Sequence, residues 1–131
     1  IAIIGILSSV VLASLNSARS KANNARVKAA MSTITTQSVL YYDDNNQSYG
    51  ASPASCTTVS TMWDEATIKR AVTDIDANDG GSPVCNSTAS AWAMSATLKI
   101  AEGTVMYWCV DSTGVSKGET AAIGSGVVAC P

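Results

Sequence analysis

The chain begins with an uninterrupted apolar segment, Ile1–Leu15, which reads IAIIGILSSVVLASL. It carries no charge, and as a helix it would be apolar all round, so it needs lipid or other apolar helices around it. A membrane span takes about 20 apolar residues, whereas stretches of about 10–14 are usually something else. Because the segment falls between these lengths and starts at residue 1, we expect that the natural N terminus lies further upstream and extends the apolar run.

The residues after this segment favour one long helix over a secretory signal peptide. A signal peptide ends at a small-residue cleavage site and gives way to other structure. Here the helical pattern continues, and neither Pro nor Gly occurs between Asn16 and Tyr49. A helix of about 43 residues would be about 65 Å long, which is longer than one small domain needs.

The residues of this helix fall on two distinct faces, one with small and one with bulky side chains. Residues spaced by three or four positions share one face, and the first set is mostly small. We call it the small-residue stripe: Leu15, Ala18, Ala22, Ala25, Ala29, Ser32, Thr36 and Val39. Bulky residues occupy the roughly opposite face: Val27, Met31, Ile34 and Tyr41. We expect the bulky face to pack beneath the chain's own domain, and the small-residue stripe to let another helix approach closely. The alternative for the alanines is simple helix propensity.

The rest of the chain predicts a small antiparallel sheet. Apolar residues alternate with others over 91–100, which is typical of a half-buried strand. The inward set that we expect to pack on the helix is Trp92, Met94, Leu98 and Ile100, with Ala96 among them. Glu102-Gly103 is a two-residue hairpin loop in this interpretation, which would place Ile100 opposite Val105 and Leu98 opposite Tyr107.

Further elements complete an α+β fold, with the long helix packed on an antiparallel meander of three to four strands. Residues 104–111 and 115–120 are expected as strands, and 121–131 as a loop. A short amphipathic helix is expected over 62–75, with Thr61 and Asp64 as its capping pair. The turn-rich segment 43–50 separates this body from the long helix.

Composition argues against catalysis. The chain has no His, so neither a Ser-His-Asp nor a Cys-His nucleophile can be built, and no paired carboxylates or metal cluster stand out. Residues 1–42 carry four bases and no acid, whereas all ten acids follow. This distribution does not indicate a DNA-binding domain. We expect no enzyme activity, no cofactor and no specific nucleic-acid partner.

The four cysteines, Cys56, Cys85, Cys109 and Cys130, form no C-x-x-C pair, which argues against zinc and redox sites. Two disulfides in an oxidising compartment are the favoured interpretation. Of the three connectivities we favour Cys56–Cys85 and Cys109–Cys130, because each closes a local loop. Four buried free thiols in a cytosolic protein are the alternative.

The N-terminal third, IAIIGILSSVVLASLNSARSKANNARVKAAM, resembles the interior of a type IV pilin N-terminal helix. The segment GFTLIELLVV that typically ends the family's prepilin motif would stand immediately before Ile1. The stretch YWCVDSTG over 107–114, with a late Cys130-Pro131, resembles small pilins of candidate-phylum bacteria. The resemblance covers residues 1–43 and 104–131.

This resemblance implies a lollipop-shaped subunit with a pilin helix over 1–43, whose membrane and filament-core segment is 1–15, and a disulfide-stabilised head over 44–131. The subunit would be held in the cytoplasmic membrane and then polymerise with identical copies into an extracellular filament. Separate proteins, a prepilin peptidase and an assembly ATPase, would process and assemble it. The filament-core residues implied are Ile1, Ile3, Ile4, Ile6, Leu7, Val10, Val11, Leu15, Ala18, Ala22, Ala25 and Ala29.

Two local expectations follow from the resemblance. Pilin helices often melt near the position of Gly5 during assembly, so we expect loss of helix there in a filament; an unbroken backbone hydrogen-bond ladder through Gly5 in an assembled structure would contradict this. The loop between Cys109 and Cys130 would lie on the filament surface.

The basic residues Arg19, Lys21, Arg26 and Lys28 are expected to contact acidic residues of neighbouring copies, such as Asp43, Asp44 or Asp64. The alternative is that these bases face solvent or lipid headgroups.

Two weaker patterns occur in the head. Asp74, Asp76 and Asn78 alternate as in a calcium loop, but the EF-hand spacing fails, which leaves a looser calcium site or an ordinary acidic helix end. Asn46-Gln47-Ser48 and Asn86-Ser87-Thr88 match glycosylation sequons.

The expected function is therefore that of a pilus subunit for surface attachment, motility or DNA uptake. The first alternative is a pseudopilin of a secretion or competence machine, which builds only short fibres. The second is a monomeric, membrane-anchored binding module.

Overall fold

The computed structural model describes residues 1–51 and 53–131. A single helix, α1, spans Ala2–Asp44, or 43 residues, which matches the helix length expected from the sequence. Asn46 and Gln47 adopt positive φ angles of 56° and 57° just after it. A right-handed helix cannot continue through this left-handed backbone conformation, so α1 ends before it.

The sheet has four antiparallel strands in the order β1-β2-β3-β4. Their bounds are β1 Val84–Ser87, β2 Trp92–Glu102, β3 Val105–Asp111 and β4 Ser116–Glu119. The predicted α+β class with an antiparallel meander is thus confirmed. Strand β1 escaped prediction because its four residues, VCNS, show no apolar alternation.

Helix α2, Ala66–Asn78, begins and ends later than predicted. A 3₁₀ turn over Met62–Asp64 precedes it, and Thr61 caps that turn by accepting a hydrogen bond from the Trp63 amide. The carboxylate of Glu65 caps α2 instead, since it accepts hydrogen bonds of 2.9 Å from the amides of both Thr67 and Ile68. The predicted pair of Thr61 and Asp64 at the start of α2 was wrong.

The main core lies between α1, α2 and one face of the sheet. Its largest contributors are fully or almost fully buried: Val27, Met31, Ile34, Met62, Trp63, Ile68, Ile75, Trp92 and Met94. Leu98 is buried as well but does not belong to this cluster. Burial of one side chain of this kind is worth about 1.5–3 kcal/mol. The bulky face of α1 therefore holds the helix to the head. Tyr41 and Ile100, also expected in this contact, are only half-buried.

The opposite face of the sheet is covered as well, which the sequence did not predict. Ala93, Ser95 and Cys109 on this face are buried. The C-terminal segment, 121–131, folds over them: Ile123 is 4% exposed and its amide donates to the Ser95 hydroxyl. Strand β2 was expected to be half-buried, but its first half is buried on both faces.

The C-terminal segment is anchored by Asp111, whose side chain is buried. Burial opposes ionisation of its carboxyl group. Hydrogen bonds from the Thr113 hydroxyl and from the amides of Cys130, Thr113 and Val115 outweigh burial and hold the pKa of Asp111 below its usual range. This anchor contributes stability above the ordinary aspartate pKa and loses it as pH falls through the lower folded-state pKa.

Two disulfides join Cys56 to Cys85 and Cys109 to Cys130, across separations of 29 and 21 residues. This is the pairing that the local-loop argument favoured. In the chain-entropy account each contributes about 3–4 kcal/mol by restricting the unfolded chain. The first ties the segment before α2 to β1, and the second ties the C-terminal segment to β3.

The β2–β3 hairpin has a different register from the one expected. Thr97 pairs with Tyr107, and Glu102 pairs with Val105, with an irregularity between these two pairs. The predicted opposition of Leu98 to Tyr107 and of Ile100 to Val105 was therefore wrong. Four residues of β2, 98–101, lie opposite the single residue Met106, so part of the β2 backbone has no partner on β3.

Asn24 of α1 supplies the missing partners. Its side chain is completely buried. The Asn24 Nδ2 donates to the carbonyl of Ile100 at 2.7 Å and to the Glu102 carboxylate at 3.0 Å. Its Oδ1 accepts from the amides of Lys99 at 2.7 Å and Ile100 at 3.3 Å. The irregular part of β2 is therefore the place where α1 is hydrogen-bonded to the sheet through Asn24.

Replacement of Asn24 should destabilise the protein strongly. The Asn24→Ala variant leaves the amides of Lys99 and Ile100 and the carbonyl of Ile100 without the partners that Asn24 supplies, which costs about 2–4 kcal/mol. Urea unfolding in detergent measures this loss. Asn23→Ala, a half-buried neighbour on the same helix, is the matched control and should cost less than about 1 kcal/mol. Equal losses of unfolding free energy in the two variants would contradict this role of Asn24.

Asp79 directly follows α2 and is only 5% exposed. Its Oδ1 accepts from the Gly81 amide, and its Oδ2 has no hydrogen-bond partner among residues 1–51 and 53–131. Burial raises its pKa from 3.8 to about 6. The folded protein therefore binds this proton more tightly than the unfolded chain does.

Stability should consequently fall as pH rises from about 4 to about 6.5, because the unfolded chain ionises Asp79 more easily than the folded protein does. Asp79→Asn should remove this fall and raise the melting temperature at pH 7. Melting curves between pH 4 and 7.5 measure both effects, with the exposed Asp44→Asn as control. A variant whose pH profile parallels that of the wild type would contradict the assignment to Asp79.

Candidate assembly interface

The apolar segment Ile1–Leu15 projects from the head, and nothing among residues 1–51 and 53–131 buries it. Every residue from 1 to 19 is exposed, and Ile3, Leu7 and Leu15 are 73%, 59% and 46% exposed. α1 is long and apolar enough to cross a membrane by length and composition: an 18-residue window has a mean hydropathy of 1.5 and is 0% buried. Since such a surface is unfavourable in water, the segment needs an apolar environment.

The helix is regular through Gly5 in the single chain. The Gly5 amide donates to the carbonyl of Ile1 at 3.2 Å. Apart from the two adjacent residues and the helix's own backbone, no atom of the described residues lies within 4 Å of the position that a Cβ would occupy. The expected melting near Gly5 refers to an assembled filament, so it stays a prediction.

The small-residue stripe is exposed along its whole length. All eight of its residues lie on the surface, whereas Asn24, Val27, Met31 and Ile34 on the other side of α1 are buried in the head. The helix therefore has one face that holds the head and an opposite face that is open from residue 15 to residue 39. A second helix could approach this open face closely because its side chains are short.

Two of the four basic residues on α1 are bound within the chain. The Arg26 guanidinium makes a two-pronged contact with the Asp74 carboxylate, with its closest N–O distance at 2.6 Å. The Lys28 ammonium lies 2.6 Å from the Glu102 carboxylate and 4.3 Å from the centre of the Trp108 ring. In the single chain both bases pair with acids of their own head, and their contact with acids of neighbouring copies stays a prediction.

Glu102 belongs to the same cluster as Lys28 and Asn24. The hydrogen bond from Lys28, together with that from Asn24, holds the pKa of the Glu102 carboxyl below its usual range. Sequence reasoning missed Asn24 and Glu102 as contributors, because a single Asn in a helix and a Glu in a hairpin carry no pattern of their own.

The other two bases, Arg19 and Lys21, are exposed. Among the residues that the structure describes, no salt bridge includes either of them, and the same holds for Asp43 and Asp44. These four charges lie at the two ends of the open face of α1.

The calcium pattern does not assemble into a site. Asp74, Asp76 and Asn78 all lie on α2, where the Asp74 carboxylate is held by Arg26 and the Asn78 amide donates to the Asp74 carbonyl. Asp76 is two positions from Asp74, which puts it on the far side of the helix. Within 1–51 and 53–131, no group of three or more acidic or Cys side chains could hold a metal ion.

The two sequons differ in accessibility. Asn46 is exposed in the turn after α1. Asn86 is 6% exposed, and its amide donates to the carbonyls of Gly124 and Val127. Because Asn86 is part of the packing of the C-terminal segment, it is not a surface acceptor for sugar.

Comparisons of the chain with models of protein families, with curated proteins and with solved structures find no match. What the structure establishes is a long N-terminal helix packed on an antiparallel sheet in a head with two disulfides. This arrangement is compatible with a pilin-like fold.

The exposed segment and the buried face of α1 should respond differently to polar substitution. The triple variant Ile6→Ser, Leu7→Ser, Val10→Ser should leave the urea midpoint of the head unchanged but reduce partition into the detergent phase. Val27→Ser, on the buried face, should destabilise the head by about 2–4 kcal/mol. Loss of head stability in the triple variant would mean that the segment packs on the head.

Proposed function

We propose that this chain is the structural subunit of a type IV pilus, which polymerises through α1 into an extracellular filament. The observation that carries the proposal is the projection of an uncovered apolar helix from a disulfide-bonded head. Such a helix is stable in a membrane before assembly and among copies of itself afterwards. The disulfides support the location of the head in an oxidising compartment, because disulfides form and persist there.

The driving force for assembly must come from packing rather than from hydrophobic transfer. Lipid and a bundle of apolar helices are about equally apolar, so leaving the membrane gains little from burial of apolar surface alone. Close approach of helices and pairing of polar groups remain as the favourable terms. The open face with its small-residue stripe supports the first of these terms, since it allows helices to pack at short distance.

The arrangement of the head supports the same proposal. The sheet, the C-terminal segment and both disulfides lie on the side of α1 away from the small-residue stripe. Copies that bring their stripes together would therefore turn their heads outward. The partners proposed are identical subunits, the cytoplasmic membrane that holds the precursor pool, and separate peptidase and ATPase proteins that process and assemble the subunits.

Electron microscopy of material sheared from producing cells tests this function. Long filaments that contain this chain are expected. Short, rare fibres would favour the pseudopilin alternative, and a lone detergent-soluble subunit in crosslinking would favour the monomeric binding module and overturn the proposal.

A pair of variants probes the role of the stripe. Ala29→Leu, on the same exposed stripe, should lower filament yield about tenfold, which corresponds to about 1.4 kcal/mol at each contact. Ala77→Leu makes the same change at an exposed position of α2 and should have no such effect. Equal yields from the two variants would contradict assembly through the open face of α1.

A further inference from the structure

The charges of α1 that have no salt-bridge partner in the described chain are segregated along the helix. Arg19 and Lys21 lie next to the apolar segment, and Asp43 and Asp44 lie at the other end. The bases between them, Arg26 and Lys28, are occupied by Asp74 and Glu102. One end of the open face thus presents two positive charges and the other end two negative charges.

The two pairs also flank the open face in a matching way. Successive residues of an α-helix are rotated by about 100° about its axis. Arg19 and Asp44 therefore lie on one side of the small-residue stripe, and Lys21 and Asp43 lie on the other side. When two parallel helices present this face to each other, the left flank of one meets the right flank of the other. Arg19 then meets Asp43, 24 residues further along, and Lys21 meets Asp44, 23 residues further along.

One displacement therefore satisfies both pairs, which is about 35 Å along the helix axis. The same displacement brings Leu15 of one copy beside Val39 of the other, since these residues are also 24 apart. Leu15, Val39 and Leu40 are 46%, 53% and 52% exposed in the single chain, so each would gain an apolar neighbour. The apolar segment of one copy would lie along the open face of the next.

Two antiparallel α1 helices could also bring these opposite charges together, but they would leave the apolar segment uncovered. It would place Ile1–Leu15 beyond Asp44 of the partner, where the partner's helix has ended. The apolar segment would then gain no helix to cover it. The parallel arrangement pairs the opposite charges and also buries the apolar segment against the neighbouring helix.

We infer that neighbouring copies lie parallel with their α1 helices displaced by 23–24 residues, and that Arg19–Asp43 and Lys21–Asp44 pairs between copies set this displacement. The inference rests on the proposed function and specifies the contact that its polymer uses.

Cysteine crosslinking in filaments of the full chain tests the displacement directly. The Leu15→Cys, Val39→Cys variant should give a ladder of oligomers on non-reducing gels after mild oxidation. Leu15→Cys, Ser32→Cys is the matched control on the same face. Its two positions would stand about 10 Å apart along the axis at the inferred displacement, too far for a bond that needs Cα atoms within about 7 Å.

Charge-reversal variants test the Arg19–Asp43 and Lys21–Asp44 pairs between copies. Arg19→Glu, Lys21→Glu should lower filament yield about tenfold, and so should Asp43→Lys, Asp44→Lys, because each sets four like charges side by side. The combined fourfold variant restores opposite charges and should recover at least about half of the wild-type yield. Arg70→Glu, an exposed reversal on α2, controls for net charge. Melting of each variant in detergent checks that the head is intact.

The outcomes separate this inference from the proposed function. A ladder from the Leu15–Val39 pair with recovery in the fourfold variant supports the displacement. Filaments that crosslink through Leu15–Ser32 instead, or that form normally with either double reversal, overturn the displacement while leaving the pilus subunit in place. Absence of filaments from the wild-type chain overturns the proposed function itself.

Discussion

The structure depends on one helix, α1, whose bulky face is buried by the head and whose apolar N-terminal segment is left exposed. The first contact is internal and gives a folded domain. The second contact is not made within the described residues, 1–51 and 53–131, and an uncharged helical segment of this length is unfavourable in water. This division explains why a chain of this size devotes 43 residues to a single helix.

The connection between the two parts of α1 is polar and specific. Asn24 lies where the helix first enters the head, and it satisfies backbone groups of β2 that have no partner in β3. Lys28 and Arg26 follow within one turn and bind Glu102 and Asp74. These contacts set the position of the helix along the sheet, which apolar packing alone leaves less well defined. A fixed position would matter in the proposed polymer, since the heads would follow wherever the helices pack.

The head is small and is stabilised by means other than a large core. Two disulfides restrict the segment before α2 and the C-terminal segment. Asp111 accepts hydrogen bonds from the Cys130 amide and from Thr113, so the second disulfide is supported by a buried carboxylate. As a result, both faces of β2 are covered, one by the helices and the other by residues without regular secondary structure. A head of this kind can be stable whatever happens to the exposed end of α1.

Sequence patterns by themselves predicted the helix, its two faces and three of the four strands, and they favoured the disulfide pairing, because each depends on local periodicity or on short loops. The spacing of Val27, Met31 and Ile34 specifies a buried helix face wherever the partner lies. The tertiary structure decided the β2–β3 register, the covering of Ala93 and Cys109 by the C-terminal segment, and the partners of Arg26, Lys28 and Asn24. The register depends on Asn24, which binds the β2 backbone from a helix about 75 residues away, and the other features also join residues about 20 to 80 positions apart. Their hydrogen bonds and ion pairs form only after the chain has folded.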